Sequence, residues 1–112
     1  MQKITAVIRI EKFDDVRAAL EKRGYPGISV TRIEGHGKQK GLRQQFRGRE
    51  YTIDMLPKFE LKIVVKDTEV KAIVKTIMEA ARTGGAGDGK IFVSPVLEVY
   101  RIRTGETGEE AL

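Results

Sequence analysis

Cysteine, asparagine and tryptophan are absent from these 112 residues, and histidine occurs once, at His36. Without cysteine there is neither a disulfide framework nor a thiolate metal site, and one histidine excludes a histidine-rich zinc centre. A Cys-His pair is impossible, and a Ser-His-Asp set would have to rest on that single histidine. No apolar run is long enough for a membrane span and no signal-peptide pattern is present, so a soluble cytoplasmic protein is expected. The lack of asparagine, with 33% of residues charged, is the composition of chains that avoid heat-labile side chains and favour ion-pair networks. Thermophilic origin is therefore a hypothesis, and a melting midpoint in the ordinary mesophile range would count against it.

What is present begins with glycine. Thr83-Gly84-Gly85-Ala86-Gly87-Asp88-Gly89-Lys90-Ile91-Phe92 holds four glycines in the eight residues that end at Lys90. Glycine has no Cβ, so consecutive amides can converge on one anion. Gly84 to Lys90 matches G-x-x-x-x-G-K by letter, but Ile91 stands where a Walker A loop needs Ser or Thr for magnesium, and the order here is helix, loop, strand. An anion would then be held by turn amides and Lys90 rather than by a helix N-terminus. The same glycines would also suit a turn with no ligand.

Net charge is +5 and the isoelectric point is near 9.6, which first suggests nucleic acid or an acidic surface. Between Gly37 and Asp54 the cations Lys38, Lys40, Arg43, Arg47 and Arg49 face only Glu50 and Asp54, so this stretch supplies +3 of the total. A solvated loop face reads the same way.

The length suits about one domain, residues 1–112, with a small core that oligomerisation often completes. Ile4, Ala6, Ile8 and Ile10 alternate with polar or outward residues as a half-buried strand does. Phe13, Val16, Ala19 and Leu20 follow at helical spacing behind Asp14 and Asp15, and Gly24 and Pro26 stop that helix. Ile28, Val30 and Ile33 mark a second strand that ends at Gly35-His36-Gly37. From Gly37 to about Met55 neither period appears, which predicts a long excursion outside the core. Phe59, Leu61, Ile63 and Val65 give a third strand. Asp67 or Thr68 would cap a second helix with the stripe Val70, Ile73, Val74, Ile77, Met78 and Ala81. A fourth strand is expected from about Ile91 to Ile102, and Gly105 to Leu112 as an acidic mobile tail. The order βαββαβ predicts an α+β, ferredoxin-like sandwich, an antiparallel sheet with two helices on one face.

Over essentially its whole length the chain resembles the PII nitrogen-regulatory signalling proteins. The 83–92 stretch is similar to their nucleotide-binding B-loop (about 82–90), and Phe46-Arg47-Gly48-Arg49-Glu50-Tyr51 to their T-loop motif (loop about 37–55). Arg101-Ile102-Arg103-Thr104-Gly105-Glu106 resembles the C-loop that opens the segment 101–112. The resemblance implies a homotrimer with ATP or ADP in clefts between subunits. The residues it assigns to the nucleotide are Val7, Gly35, His36, Gly37, Lys38 and Gln39, then Val64, Thr83, Gly87, Asp88, Gly89 and Lys90. Arg101 and Arg103, on one face of an extended segment, would reach the phosphates from the neighbouring subunit.

By the same resemblance, Gln39 would help hold a magnesium ion on the ATP phosphates, and 2-oxoglutarate would complete its coordination. Gly37, Gln39, Lys40 and Gly41 would contact that keto acid, and Lys58 would pair with its far carboxylate. Taken alone, Gln39 and Lys58 read as exposed polar side chains. No catalytic residue is implied: binding would redirect the T-loop, whose tip fits a partner or does not. Arg47, Arg49 and Tyr51 would make that contact. The implied partner is an ammonium transporter, with a nitrogen-assimilation enzyme such as glutamine synthetase as the alternative. Nucleic acid is not implied, and a membrane only through the transporter.

Tyr51 stands where some relatives are uridylylated. Arg49 replaces their alanine or serine, Lys38 their frequent arginine, His36 their more usual aromatic, and Lys62 the acid often found near the nucleotide. Two other classes share the topology. An RNA-recognition module stacks bases on aromatics of its central strands, and here the first has none and the third only Phe59. A small phosphate-ester hydrolase of acylphosphatase type positions water with an asparagine, which this chain lacks.

Overall fold

The computed structural model describes residues 1–25, 27–35, 42–46, 49–53 and 56–112, with backbone alone over Gly35, 42–46 and 49–53. Its elements are β1 (Gln2–Arg9), α1 (Phe13–Lys22), β2 (Ser29–Gly35), β3 (Leu42–Phe46), β4 (Arg49–Ile53), β5 (Leu56–Val65), α2 (Val70–Ala81) and β6 (Gly89–Pro95). A four-stranded sheet runs β2-β5-β1-β6, every neighbouring pair antiparallel, and β3 and β4 form a separate hairpin. This is the ferredoxin-like sandwich that the order of periodic segments predicts.

Period-two burial decides which face of the sheet is covered. Ile4, Ala6 and Ile8 of β1 lie opposite Ile63, Leu61 and Phe59 of β5, so alternate residues of adjacent strands share one face. Onto that face α1 brings Val16 and Leu20, and α2 brings Ile73, Ile77 and Ala81, all buried. The Phe13 and Phe59 rings meet edge to face, 5.2 Å between centroids, which pins the start of α1 to β5. Lys3, Thr5, Val7 and Arg9 point to the opposite face, together with Lys58, Glu60, Lys62 and Val64.

Gly24 ends α1 at φ +88°, with its amide on Glu21 O and the next, Tyr25, on Leu20 O. Pro26 lies outside the described residues. Neither Asp67 nor Thr68 caps α2: Asp67–Glu69 form a 3₁₀ turn ahead of it, with no side-chain capping bond. Asp67 Oδ1 instead lies 2.9 Å from the Met1 nitrogen.

The stretch from Gly37 to Met55, expected to lack regular structure, contains the β3–β4 hairpin, paired from Leu42↔Ile53 to Phe46↔Arg49. Main-chain pairing needs no buried face, so a polar ribbon shows no apolar period. The fourth strand stops at Pro95 rather than Ile102. Pro95 lies opposite Gln2, where β1 begins, so its partner runs out, and the next amide, Val96 N, turns to Met1 O. The acidic tail is tied back: Gly108 N donates to Val99 O, Tyr100 bridges Thr107, and 108–111 close as a 3₁₀ turn.

Candidate functional site

Four strand ends meet at one edge of the sheet. β1 closes there with Arg9, β2 with Gly35, β5 opens with Leu56, and β6 opens with Gly89. The loop 82–88 between α2 and β6 hangs over this edge, beside the base of the long excursion after Gly35. The helix-loop-strand order expected around the glycines is therefore present.

That loop is organised around Asp88. One carboxylate oxygen, Oδ2, accepts the amides of Thr83 and Gly84, both at 2.9 Å. The other, Oδ1, accepts the Thr83 hydroxyl and, at 3.0 Å, Arg9 Nε. The Thr83 hydroxyl and amide, then Arg9, then the Gly84 amide all favour the ionised form and hold the carboxyl well below the usual carboxylate range. Gly85 N donates to Thr83 Oγ1. Three of the amides expected to meet an external anion are thus taken by the loop's own side chains.

Two cations grip the loop from beneath. Arg9 and Lys58 sit directly opposite each other on β1 and β5. Arg9 Nη2 donates to Ala86 O at 2.7 Å, and Lys58 Nζ donates to Gly87 O at 2.5 Å. Expected as an exposed side chain, Lys58 is instead 8% exposed, because the loop covers its end of β5. Burial first, and the neighbouring Arg9 second, push its ammonium below the ordinary lysine value.

A trans peptide points its carbonyl and its amide in opposite directions, and the chain has no cis bond. With the Ala86 and Gly87 carbonyls drawn down onto the sheet, the Gly87 and Asp88 amides face outward, and neither meets an acceptor among the described residues. Lys90, exposed at the start of β6, likewise has no hydrogen-bond or ion-pair partner there. The arrangement offers two adjacent amide donors and an ammonium, a donor set suited to phosphate oxygens.

The other expected residues divide three ways. Val7 lies opposite Lys90 on the helix-free face and can form apolar floor beside it, whereas Val64, on the same face, lies opposite Lys3, level with Ser94 and away from the loop, so one chain does not bring the two together. Lys62 is paired with Glu60 at 3.1 Å, which offsets its reversed charge. Gly35 closes β2, and Arg49 and Tyr51 lie in β4. His36, Gly37, Lys38, Gln39, Lys40, Gly41 and Arg47 lie outside the described residues. Arg101 and Arg103 sit in a turn, not on an extended face: Gly105 N closes onto Arg101 O, and Arg101 is tied to Glu106 (3.2 Å) and to Leu112 O (3.1 Å). Within one chain neither arginine hydrogen-bonds or ion-pairs with the loop 82–88.

Arg9 escapes a reading of the sequence because it is 79 residues from Asp88 and looks like the polar end of an alternating strand. The one available signal is its register, which places it across from Lys58. As for base stacking, Phe59 packs against Phe13 on the helix side, so the helix-free faces of the central strands carry no aromatic. Among the described residues no group of acidic or histidine side chains could hold a metal, and no helix is long and apolar enough to cross a membrane.

The family model described as Nitrogen regulatory protein P-II matches residues 1–106. Nitrogen regulatory protein P-II 2 of Methanothermobacter thermautotrophicus is 51% identical over 112 residues, all of this chain and 97% of that protein. The Nitrogen regulatory protein P-II of Rhizobium meliloti is 50% identical and that of Cereibacter sphaeroides 49%, each over the full length of both chains. Fold, loop motif and full-length similarity agree, and this chain belongs to the P-II family of nitrogen regulatory proteins.

Proposed function

We propose that this regulator reports nitrogen and energy status by binding ATP or ADP, with 2-oxoglutarate as effector, in clefts between the subunits of a cytoplasmic homotrimer. The observation that carries this reading is the pair of outward amides at Gly87 and Asp88, shortly before Lys90 in the chain, donors of the kind that phosphate oxygens accept. Val7, opposite Lys90, supplies apolar surface next to it, and Val64 would be offered to a nucleotide from a neighbouring copy. Arg101 and Arg103 would complete the phosphate site from a neighbouring copy, since within one chain they engage no part of the loop. Self-association is supported by exposed apolar side chains running from the β6 edge into the C-terminal turn: Phe92 is 56% exposed, Leu97 91% and Ile102 102%.

Magnesium, held mainly by phosphate and keto-acid oxygens with Gln39, would supply a hard-cation bridge between nucleotide and effector. Such a site needs no acidic cluster, in keeping with the donor set described. The chain's own part is to orient: Lys58, under the loop and near the end of β5, would pair with the keto acid's far carboxylate. Occupancy of this edge would bias the conformation of the T-loop, and Arg47, Arg49 and Tyr51 would present it to a partner. The basic tip favours an ammonium transporter, to whose membrane the protein would bind reversibly. Control of a nitrogen-assimilation enzyme such as glutamine synthetase is the second reading. The role is conformational readout, not turnover.

Titration calorimetry with ATP, ADP and 2-oxoglutarate, each with and without magnesium, tests this. Both nucleotides should bind, and 2-oxoglutarate should bind only when ATP and magnesium are present. Equal keto-acid binding without nucleotide would remove the bridging metal. A monomer indifferent to adenine nucleotides would remove the whole reading.

A further inference from the structure

Arg9 and Lys58 are like charges placed directly across from each other on adjacent strands, an arrangement that destabilises a sheet unless something absorbs it. The loop takes most of that charge, with Glu11 Oε1 3.9 Å from Arg9 Nη1 adding to it. The two side chains take the carbonyls of successive peptide units, Ala86 O and Gly87 O, and Arg9 also takes the Asp88 carboxylate. Arg9 is 18% exposed and Lys58 8%, so both are held rather than solvated.

We propose that Arg9 and Lys58 form a clasp that sets the two peptide planes 86–87 and 87–88, and so creates the outward amides of Gly87 and Asp88 as a phosphate site. Both act as positioning residues, since the carbonyls they hold are on the far side of the peptides whose amides would meet phosphate. Turning over either plane would point a carbonyl at the anion in place of an amide, so the clasp converts a glycine-rich turn of either sign into one of fixed sign. The consequence is specific: Lys58 contributes to nucleotide binding even when no keto acid is present, and its loss should scale with phosphate contacts rather than with the base. This inference rests on the nucleotide reading above.

The test is calorimetric binding of ADP and of adenosine, without magnesium and without 2-oxoglutarate, to the native protein and to Lys58→Met, Lys58→Arg and Arg9→Lys. ADP affinity should fall about tenfold in Lys58→Met, be largely restored in Lys58→Arg, and fall in Arg9→Lys, which cannot reach both Ala86 O and Asp88. Adenosine binding should be unchanged. Amide hydrogen exchange at Gly87 and Asp88 should slow on adding ADP to the native protein and not to Lys58→Met. Native ADP affinity in Lys58→Met and Arg9→Lys overturns the clasp, and if Lys58→Met does not fold, Arg9→Lys decides. Failure of the native protein to bind ADP is a different result: it overturns the nucleotide reading itself.

Discussion

Replacing Gly89 with alanine should lower the unfolding free energy by about 3 kcal/mol or more. Gly89 has φ +101°, where an L side chain is strained. A Cβ there would lie 1.7 Å from Val7 O and 2.8 Å from Val7 C, both main-chain atoms of the adjoining strand. No rotamer change relieves that clash. β6 must move off β1, and the register that brings Lys90 opposite Val7 is lost with it. Gly105 is the internal control: at φ +75° its Cβ would meet nothing within 4 Å, so Gly105→Ala should cost only the backbone strain, about 1 kcal/mol. Chemical denaturation of the two variants checks the comparison, and equal midpoints would show that close approach of β1 is not what requires glycine at 89.

The same contrast explains how much the sequence discloses. Ile4, Ala6 and Ile8 are legible as a strand because burial of one face imposes a period, and the α2 stripe from Val70 to Ala81 is legible for the same reason. The β3–β4 hairpin leaves no such trace because its pairing is made by the main chain, which imposes no apolar period on the sequence. At the candidate site the glycines announce a loop of unusual backbone, but not which amides remain available. That depends on Asp88, whose carboxylate takes Thr83 N and Gly84 N, and on Arg9, 79 residues away, whose approach follows only from strand register. The burial of Lys58 is likewise a property of the loop above it. The C-terminal arginines show the reverse case, where a clear motif is read correctly as a motif but its backbone is a closed turn.

Asp88→Asn should reduce ADP affinity roughly a hundredfold while moving the melting temperature little. The carboxylate accepts two donors on each oxygen: Thr83 hydroxyl and Arg9 Nε on one, Thr83 and Gly84 amides on the other. An asparagine keeps the shape but turns one oxygen into a donor, so either orientation sets an NH₂ against two groups that also donate. If the NH₂ faces Arg9, the clasp on the 86–87 peptide loses its anchor. If it faces Thr83 and Gly84, the first turn of the loop opens. In both cases the amides of Gly87 and Asp88 lose their fixed direction, while the core under α1 and α2 is untouched because the site lies at the sheet's edge. Protonation cannot mimic this near neutrality. The native pKa is depressed, so the contribution is complete above the unfolded carboxylate value, about 3.9, and is lost only as pH falls through the lower native value. Calorimetry should therefore show ADP affinity free of any Asp88 titration from about pH 5 to 8. An Asp88→Asn protein that binds ADP as tightly as the native chain would mean that the loop is organised from the strands alone.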